Sequence, residues 1–226
     1  VTSWPTSPPI YRKKVTLSGV RRLNQGLSNR SVSSLLQGLY IPEPSSREYC
    51  AFNLYIKVTE SCEDWALQRM LQALDDNNRK VRYSVRGAFA ACGYSPAVSR
   101  LLPWLRTADM DEAIEVVDCL CAIGEKAVCQ LILFMADNKD TNGSHAAGSA
   151  LKKMGPDVVG WILACLRDPI IFNRWPDVKW PVLAIMYDFK SEALLELKGA
   201  IKWARANNPD LAFILENLDE TLKGLP

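Results

Sequence analysis

A glycine returns every 31 residues in the middle of this chain, at Gly93, Gly124 and Gly155. Before each glycine, apolar residues recur at positions i, i+3, i+4 and i+7, which predicts an amphipathic helix and not a strand. A second apolar stripe occupies the first half of each unit, and a polar turn separates the two halves. Each unit is therefore predicted to be a pair of antiparallel helices, each of about 12 residues.

The glycines are predicted to end the second helix of each unit, because glycine adopts left-handed backbone conformations without steric cost. Asp and Asn residues in the polar turns 75–80, 107–112 and 137–144 suit the caps of the helices that follow. A single helix pair cannot bury its own apolar stripe. The pairs must stack on their neighbours, and the predicted fold is an all-α solenoid with one continuous core.

The period divides the chain into a basic N-terminal arm, a run of repeats and a C-terminal cap. The arm is residues 1–31, and the cap is residues 191–226, with helices predicted at 191–206 and 209–223. The last repeat contains a four-residue insertion within 168–177, and we expect residues 170–181 to form an apolar loop. The repeats themselves are predicted at 32–62, 64–93, 95–124, 126–155 and 157–190.

Charge is distributed unevenly along the chain. Residues 1–42 contain six basic residues and no acidic residue, whereas residues 43–226 contain 21 basic and 25 acidic residues. A basic arm suits an anionic partner such as nucleic acid, a membrane surface or an acidic protein, but a solvated tail has the same composition. No apolar run approaches the roughly 20 residues that a membrane-spanning helix needs, so no membrane span is expected.

The seven cysteines are odd in number and contain no CxxC motif. We therefore predict free cysteines, no disulfide framework, and a cytoplasmic location or another reducing compartment such as an organelle matrix. His145 is the single histidine, which excludes multi-histidine metal sites, and neither a metal nor a cofactor is expected. Five cysteines occupy positions where the helical pattern needs a small apolar residue: Cys50, Cys92, Cys119, Cys129 and Cys165.

The segment VRYSVRGAFAACG, residues 81–93, resembles the V-R-x-x-A-x-x-A-L-x-x-I-G signature of HEAT-like repeats of the phycobilisome-lyase type. The later part of the signature is similar to IEVVDCLCAIG and SHAAGSALKKMG, which lack the Val-Arg opening. The similarity extends over about residues 32–190. It implies a right-handed α-solenoid of about five helix pairs with a helical C-terminal cap, mostly used for contacts between proteins.

The resemblance also implies that the second helices of the repeats line a concave face. His145 shares its position in the repeat with Tyr83 and Trp180. Trp175 and Trp180 flank the insertion, and tryptophan is frequent at the centres of interfaces. The predicted partner-binding residues are Tyr83, Arg86, Asp118, His145, Lys152, Trp175, Trp180 and Tyr187.

Three functions follow from these patterns. The first is a non-catalytic scaffold or adaptor that binds a protein or peptide through the concave face and the 168–181 segment. The second is a nucleic-acid-binding protein of the helical-repeat DNA-repair glycosylase type, although the acidic balance of residues 43–226 disfavours it. The third, implied only by the resemblance, is a bilin lyase or a lyase subunit. No catalytic residue is predicted.

Overall fold

The computed structural model of the chain describes residues 31–139 and 141–225, and every regular element in those two ranges is helical. The predicted all-α class is therefore confirmed for these residues. The basic arm lies outside the described residues except for Ser31. The chain divides into two units, Val1–Ala97 and Val98–Pro226. No helix in the described ranges is both long enough and apolar enough to cross a membrane.

In the first unit, long helices alternate with short ones, and side-chain caps begin several of them. The carboxylate of Glu43 accepts a hydrogen bond from the backbone N–H of Ser45, and the side chain of Asn78 accepts one from Lys80. A 3₁₀ turn at Leu71–Asp75 follows the third helix. The helices are α1 (Val32–Gly38), α2 (Pro44–Ser61), α3 (Asp64–Met70) and α4 (Arg79–Cys92).

The second unit begins with short helical segments and ends in two long helices. The predicted C-terminal helices are confirmed to within one residue at each end. Asn208 caps the last helix, and Pro209 occupies its first turn, where a missing N–H costs little. The helices are α5 (Val98–Leu101), α6 (Trp104–Thr107), α7 (Met110–Ile123), α8 (Glu125–Asp137), α9 (Asn142–Lys153), α10 (Val158–Cys165), α11 (Pro169–Asn173), α12 (Trp175–Asp188), α13 (Lys190–Asn207) and α14 (Pro209–Gly224).

Backbone conformation repeats with the sequence period. Gly93, Gly124 and Gly155 all have positive φ, as their predicted role at helix ends requires. Cys62 lies 31 residues before Gly93, and it is the one non-glycine residue with positive φ in the described ranges. It follows α2 in the left-handed conformation. The second helix of the degenerate first repeat therefore ends in the same left-handed conformation as α4 does at Gly93, although it has no glycine there.

Hydrogen bonds and ion pairs join residues about one repeat apart. In the first unit, Lys80 Nζ lies 2.9 Å from Glu48 Oε1, which ties α4 to α2. In the second, the Sγ of Cys121 donates to the carbonyl of Ala150 at 3.1 Å, which ties α7 to α9. Helices that occupy equivalent positions in successive repeats therefore pack side by side within each unit.

The predicted apolar stripes form the core. Val81, Val85, Ala88 and Phe89 of α4 have no exposed surface. Burying a large side chain of this kind contributes roughly 1.5–3 kcal/mol. The packing of these stripes holds the helices together, since most of the helices are too short to be stable alone.

The prediction of free cysteines is wrong for four of the seven. Disulfides join Cys62 to Cys92 and Cys129 to Cys165, with Cα–Cα distances of 5.4 and 5.6 Å. The partners are 30 and 36 residues apart, so each disulfide joins side chains that lie side by side in successive helix pairs. Such pairing leaves no local spacing motif. The cysteine content therefore does not indicate a reducing compartment.

The segment predicted as an apolar loop is helical. It forms α11 and the first half of α12, and two of the three prolines in 168–181 occupy first turns, where helices tolerate them. Pro169 and Pro176 lie in first turns, and Asp168 caps α11. Pro181 lies inside α12, where it removes one backbone hydrogen bond without ending the helix.

Candidate functional site

Helix α9 presents a polar stripe to solvent. Small residues on its inner side let it pack closely against α7, α8 and α12. A Cβ atom added at Gly148 would lie 3.3 Å from the methyl group of Met135, which shows how tight this packing is. His145 and Lys152 are exposed, and Ser149 between them is half-buried. These three residues follow at i, i+4 and i+7, so their side chains lie along one line.

Helix α12 presents an aromatic stripe at the equivalent positions. Its inner side buries Val178, Val182 and Met186 completely. On its outer side, Trp180 is 69% exposed and Tyr187 is 41% exposed, and the exposed Ala184 lies between them. The insertion of four residues before α12 is compensated by α11, so that α12 takes its place beside α9.

The two stripes lie on neighbouring helices, and an ion pair joins them. Lys152 Nζ lies 2.7 Å from Asp188 Oδ2, at the C-terminal ends of both helices. Lys179 lies over the ring of Trp180 at 5.7 Å from its centroid, which is a cation–π arrangement. We call this surface the His145–Trp180 face: His145, Ser149 and Lys152 of α9 with Trp180, Ala184 and Tyr187 of α12.

Four of the eight predicted residues thus belong to one surface, and the other four do not. Tyr83 and Arg86 lie in the first unit, where Tyr83 is half-buried and Arg86 has no exposed surface. Asp118 is only 4% exposed and pairs with Lys153. A guanidinium or carboxylate buried to this extent cannot touch a partner, so we leave Arg86 and Asp118 out of the candidate surface.

Trp175 is half-buried at the start of α12, beside a network of charges. Arg174 Nη2 lies 2.7 Å from the carboxylate of Asp137, and Lys139 lies 3.5 Å from that of Asp177. These pairs fasten the beginning of α12 to the end of α8 and therefore orient the aromatic stripe. Sequence reasoning missed this network and Asp188, because nothing in the repeat pattern specifies which charges meet.

The Cys121 thiol of α7, which contacts α9, has low reactivity. Burial raises the pKa of the Cys121 thiol to about 12, so the thiol is protonated at neutral pH and is a poor nucleophile. No group of three or more His, Cys, Asp or Glu side chains in the described ranges is arranged to hold a metal ion. The contacts that this surface can offer are aromatic, hydrogen-bonding and charged.

The first unit contains an open cavity of about 630 Å³ between α1 and the start of α2. Uncharged residues line it, and its polar groups are mainly hydroxyls. Sequence reasoning did not predict this cavity, since it is formed between two helices and has no sequence motif. The hydroxyls belong to Ser34, Ser45, Ser46 and Tyr49.

Comparisons with known proteins give no family assignment. No protein-family model matches the chain, and no curated protein sequence matches it. Among solved structures, the chain is similar to an engineered protein whose crystal structure comes from the Northeast Structural Genomics Consortium. The match has 13% sequence identity and a TM-score of 0.41, and it covers 86% of this chain and 97% of the engineered protein.

Proposed function

We propose that this chain is a non-catalytic scaffold or adaptor built from about five HEAT-like helix pairs as a right-handed α-solenoid. In this proposal the His145–Trp180 face binds a segment of a partner protein. The contacts between residues one repeat apart and the recurring positive φ support the repeat architecture. The exposed stripes of α9 and α12 support the binding role.

The observation that carries the binding role is the exposure of two aromatic side chains on one helix face. A tryptophan with 69% of its surface in water gains from burial under a partner, and it has few rotatable bonds to order. Tyr187 lies two turns further along the same face. Interfaces often derive most of their affinity from a few residues of these types at their centre.

The charges of the face favour a peptide over a phosphate backbone. Lys152 of the face is paired with Asp188, and Lys153, which follows it on α9 but lies outside the face, is paired with Asp118. Cations that already have carboxylate partners release few counterions on binding a nucleic acid, so the electrostatic gain is small. A partner segment that carries both charges fits this surface better, because it can exchange ion pairs with it.

The proposal is tested by affinity capture with the wild-type chain and three variants, followed by quantitative mass spectrometry and titration of the captured partner. Trp180→Ala and Tyr187→Ala are each expected to lower the affinity for the same partner at least tenfold, which corresponds to about 1.4 kcal/mol of binding free energy. The matched control is Phe213→Ala, because Phe213 is 68% exposed on α14, outside the face. Equal retention of the partner by all three variants, with unchanged thermal unfolding, would overturn the proposal.

A further inference from the structure

The two disulfides differ in their access to solvent. Cys62 is exposed and lies just beyond the end of α2, and its partner Cys92 is half-buried at the end of α4. In the second unit, Cys129 is half-buried within α8, and Cys165 at the end of α10 is only 6% exposed. Thiol–disulfide exchange requires that a thiolate reach one sulfur directly. A thiolate in solvent can reach the exposed Cys62, whereas neither sulfur of the second disulfide belongs to an exposed residue.

The helices that the Cys62–Cys92 disulfide joins are also held by other contacts. Arg47 of α2 binds the Asp76 carboxylate, with Nε 2.8 Å from Oδ2, in the turn that leads into α4. The ring of Tyr55 packs against the backbone of α4, where a Cβ atom added at Gly87 would lie 3.1 Å from it. These contacts do not depend on the disulfide. Opening it therefore releases the ends of α2 and α4 without separating the helices.

We propose that the Cys62–Cys92 disulfide is a reversible redox clasp, opened by a dithiol reductant while Cys129–Cys165 stays closed. A thiolate of the reductant attacks the Sγ of Cys62, which breaks the Cys62–Cys92 bond and forms a mixed disulfide. Cys92 leaves as a thiolate and takes up a proton. The second thiol of the reductant, as its thiolate, then displaces Cys62, which is protonated in turn. Two electrons pass to the protein, and the reductant becomes a disulfide.

The clasp is tested by stepwise reduction of the full chain with dithiothreitol under native conditions. Thiols are trapped with iodoacetamide at each step and assigned by peptide mass spectrometry. Cys62 and Cys92 are expected to become labelled at least tenfold faster than Cys129 and Cys165, which serve as the internal control. Equal rates, the reverse order, or labelling of Cys62 and Cys92 before any reductant is added would each overturn the proposal.

A second measurement separates local opening from unfolding. Hydrogen exchange is compared between the oxidised chain, the partly reduced chain and the C62S/C92S double variant. Faster exchange is expected in the last turns of α2 and α4, with α8 and α10 unchanged. The proposal fails if exchange at those turns does not respond to reduction, or if every helix of the first unit exchanges faster together.

Discussion

Single residues at fixed places in the repeat decide where each helix stops. Gly93 follows α4 with φ 56° and ψ 41°, the left-handed region that a side chain tolerates at a cost. Gly124 lies between α7 and α8 with φ 72° and ψ −137°, a region close to one that is essentially restricted to glycine. The two glycines look equivalent in the sequence, but their backbones impose different demands on a substituted residue.

We expect Gly124→Ala to destabilise the fold more than Gly93→Ala. The cost at Gly93 is about 1–2 kcal/mol for a left-handed alanine, and the cost at Gly124 approaches about 3 kcal/mol. Neither site is crowded, since nothing lies within 3.4 Å of an added Cβ at either one. Urea unfolding measures the free energy of unfolding of both variants. Gly160→Ala is the control, because it lies inside α10 with open space around it, and it is expected to stabilise by about 0.5–1 kcal/mol. Equal losses at the two glycines would contradict this account.

Glu43 caps α2, and its contribution to stability depends on pH. Hydrogen bonds from Ser45 and Ser46 lower the pKa of the Glu43 carboxyl from 4.5 to about 2. A carboxyl with a lowered pKa in the fold stabilises it fully above its unfolded pKa, and this contribution is lost as the pH falls towards about 2. Wild type is therefore expected to be more stable than Glu43→Gln at pH 7, with the difference shrinking between pH 4.5 and pH 2. Urea unfolding of both proteins across that range tests this, and a constant difference would disprove it.

At the scale of the element, one ion pair between the buried Arg47 and the half-buried Asp76 fixes α2 against the turn before α4. Arg47 is 8% exposed, and it donates to Asp76, Asn77 and the carbonyl of Pro42. Besides the hydrogen bonds from Arg47, the Asp76 carboxylate accepts one from the backbone N–H of Asn78. A single guanidinium therefore satisfies polar groups from two places in the chain, the residues before α2 and the turn before α4.

Arg47→Ala is expected to lower the unfolding midpoint clearly more than Lys80→Ala. Removing Arg47 leaves the half-buried Asp76 carboxylate without its cationic partner and the Pro42 carbonyl without this donor. Lys80 pairs with Glu48 between the same two helices, but it is exposed, so its loss costs at most about 1 kcal/mol. Arg47→Lys is expected to restore little, because an ammonium group cannot replace the guanidinium fork. Thermal unfolding of the three variants gives the comparison, and similar shifts for Arg47→Ala and Lys80→Ala would refute it.

The second helices of the repeats and the C-terminal helices were predictable from the sequence because each apolar stripe reports its own local periodicity. Several of the first helices are shorter than the predicted length of about 12 residues: α3 and α10 have 7 and 8 residues, and the first helix of 95–124 is divided into α5 and α6. The C-terminal helices and the glycine stops agree with the structure for this reason. The helical state of 168–181 was not predicted, since proline is ambiguous until the start of the helix is known. The disulfides were not predicted either, because they depend on which helices lie side by side and on how each cysteine is turned.

The candidate site was partly predictable for the same physical reason. Register in the repeat put His145, Lys152, Trp180 and Tyr187 among the residues expected on the concave face, and all four are exposed. Arg86 and Asp118 occupy similar positions in the repeat but are covered. Register specifies the side of a helix, whereas burial depends on what the neighbouring helix places there. The binding role of the face remains a proposal.

At the scale of the whole molecule, the proposed solenoid is expected to lose stability locally. In a solenoid each repeat contacts only its neighbours, so damage in one repeat spreads weakly. Leu54 of α2 and Leu120 of α7 are both completely buried, one in each unit. They form a matched pair for testing whether the units respond separately.

Leu54→Ala is expected to cost about 2–5 kcal/mol and to raise hydrogen exchange mainly in the first unit. Leu120→Ala is expected to produce the reverse pattern at a similar cost. Native-state hydrogen exchange with mass spectrometry resolves the two. A uniform rise over all helices for both variants would mean that the chain unfolds as one cooperative body, and it would contradict the repeat-by-repeat account.

The two disulfides also limit the length that the unfolded chain reaches when it is stretched. They close loops of 30 and 36 residues, each about one repeat long. When the unfolded chain is stretched from its two ends, a closed loop of this size does not extend. At roughly 3.3–3.6 Å per residue, it shortens the stretched chain by about 100 Å. Reduction of Cys62–Cys92 alone adds one such length to the fully stretched molecule. The oxidation state of Cys62–Cys92 therefore changes the contour length of the unfolded chain by about one repeat.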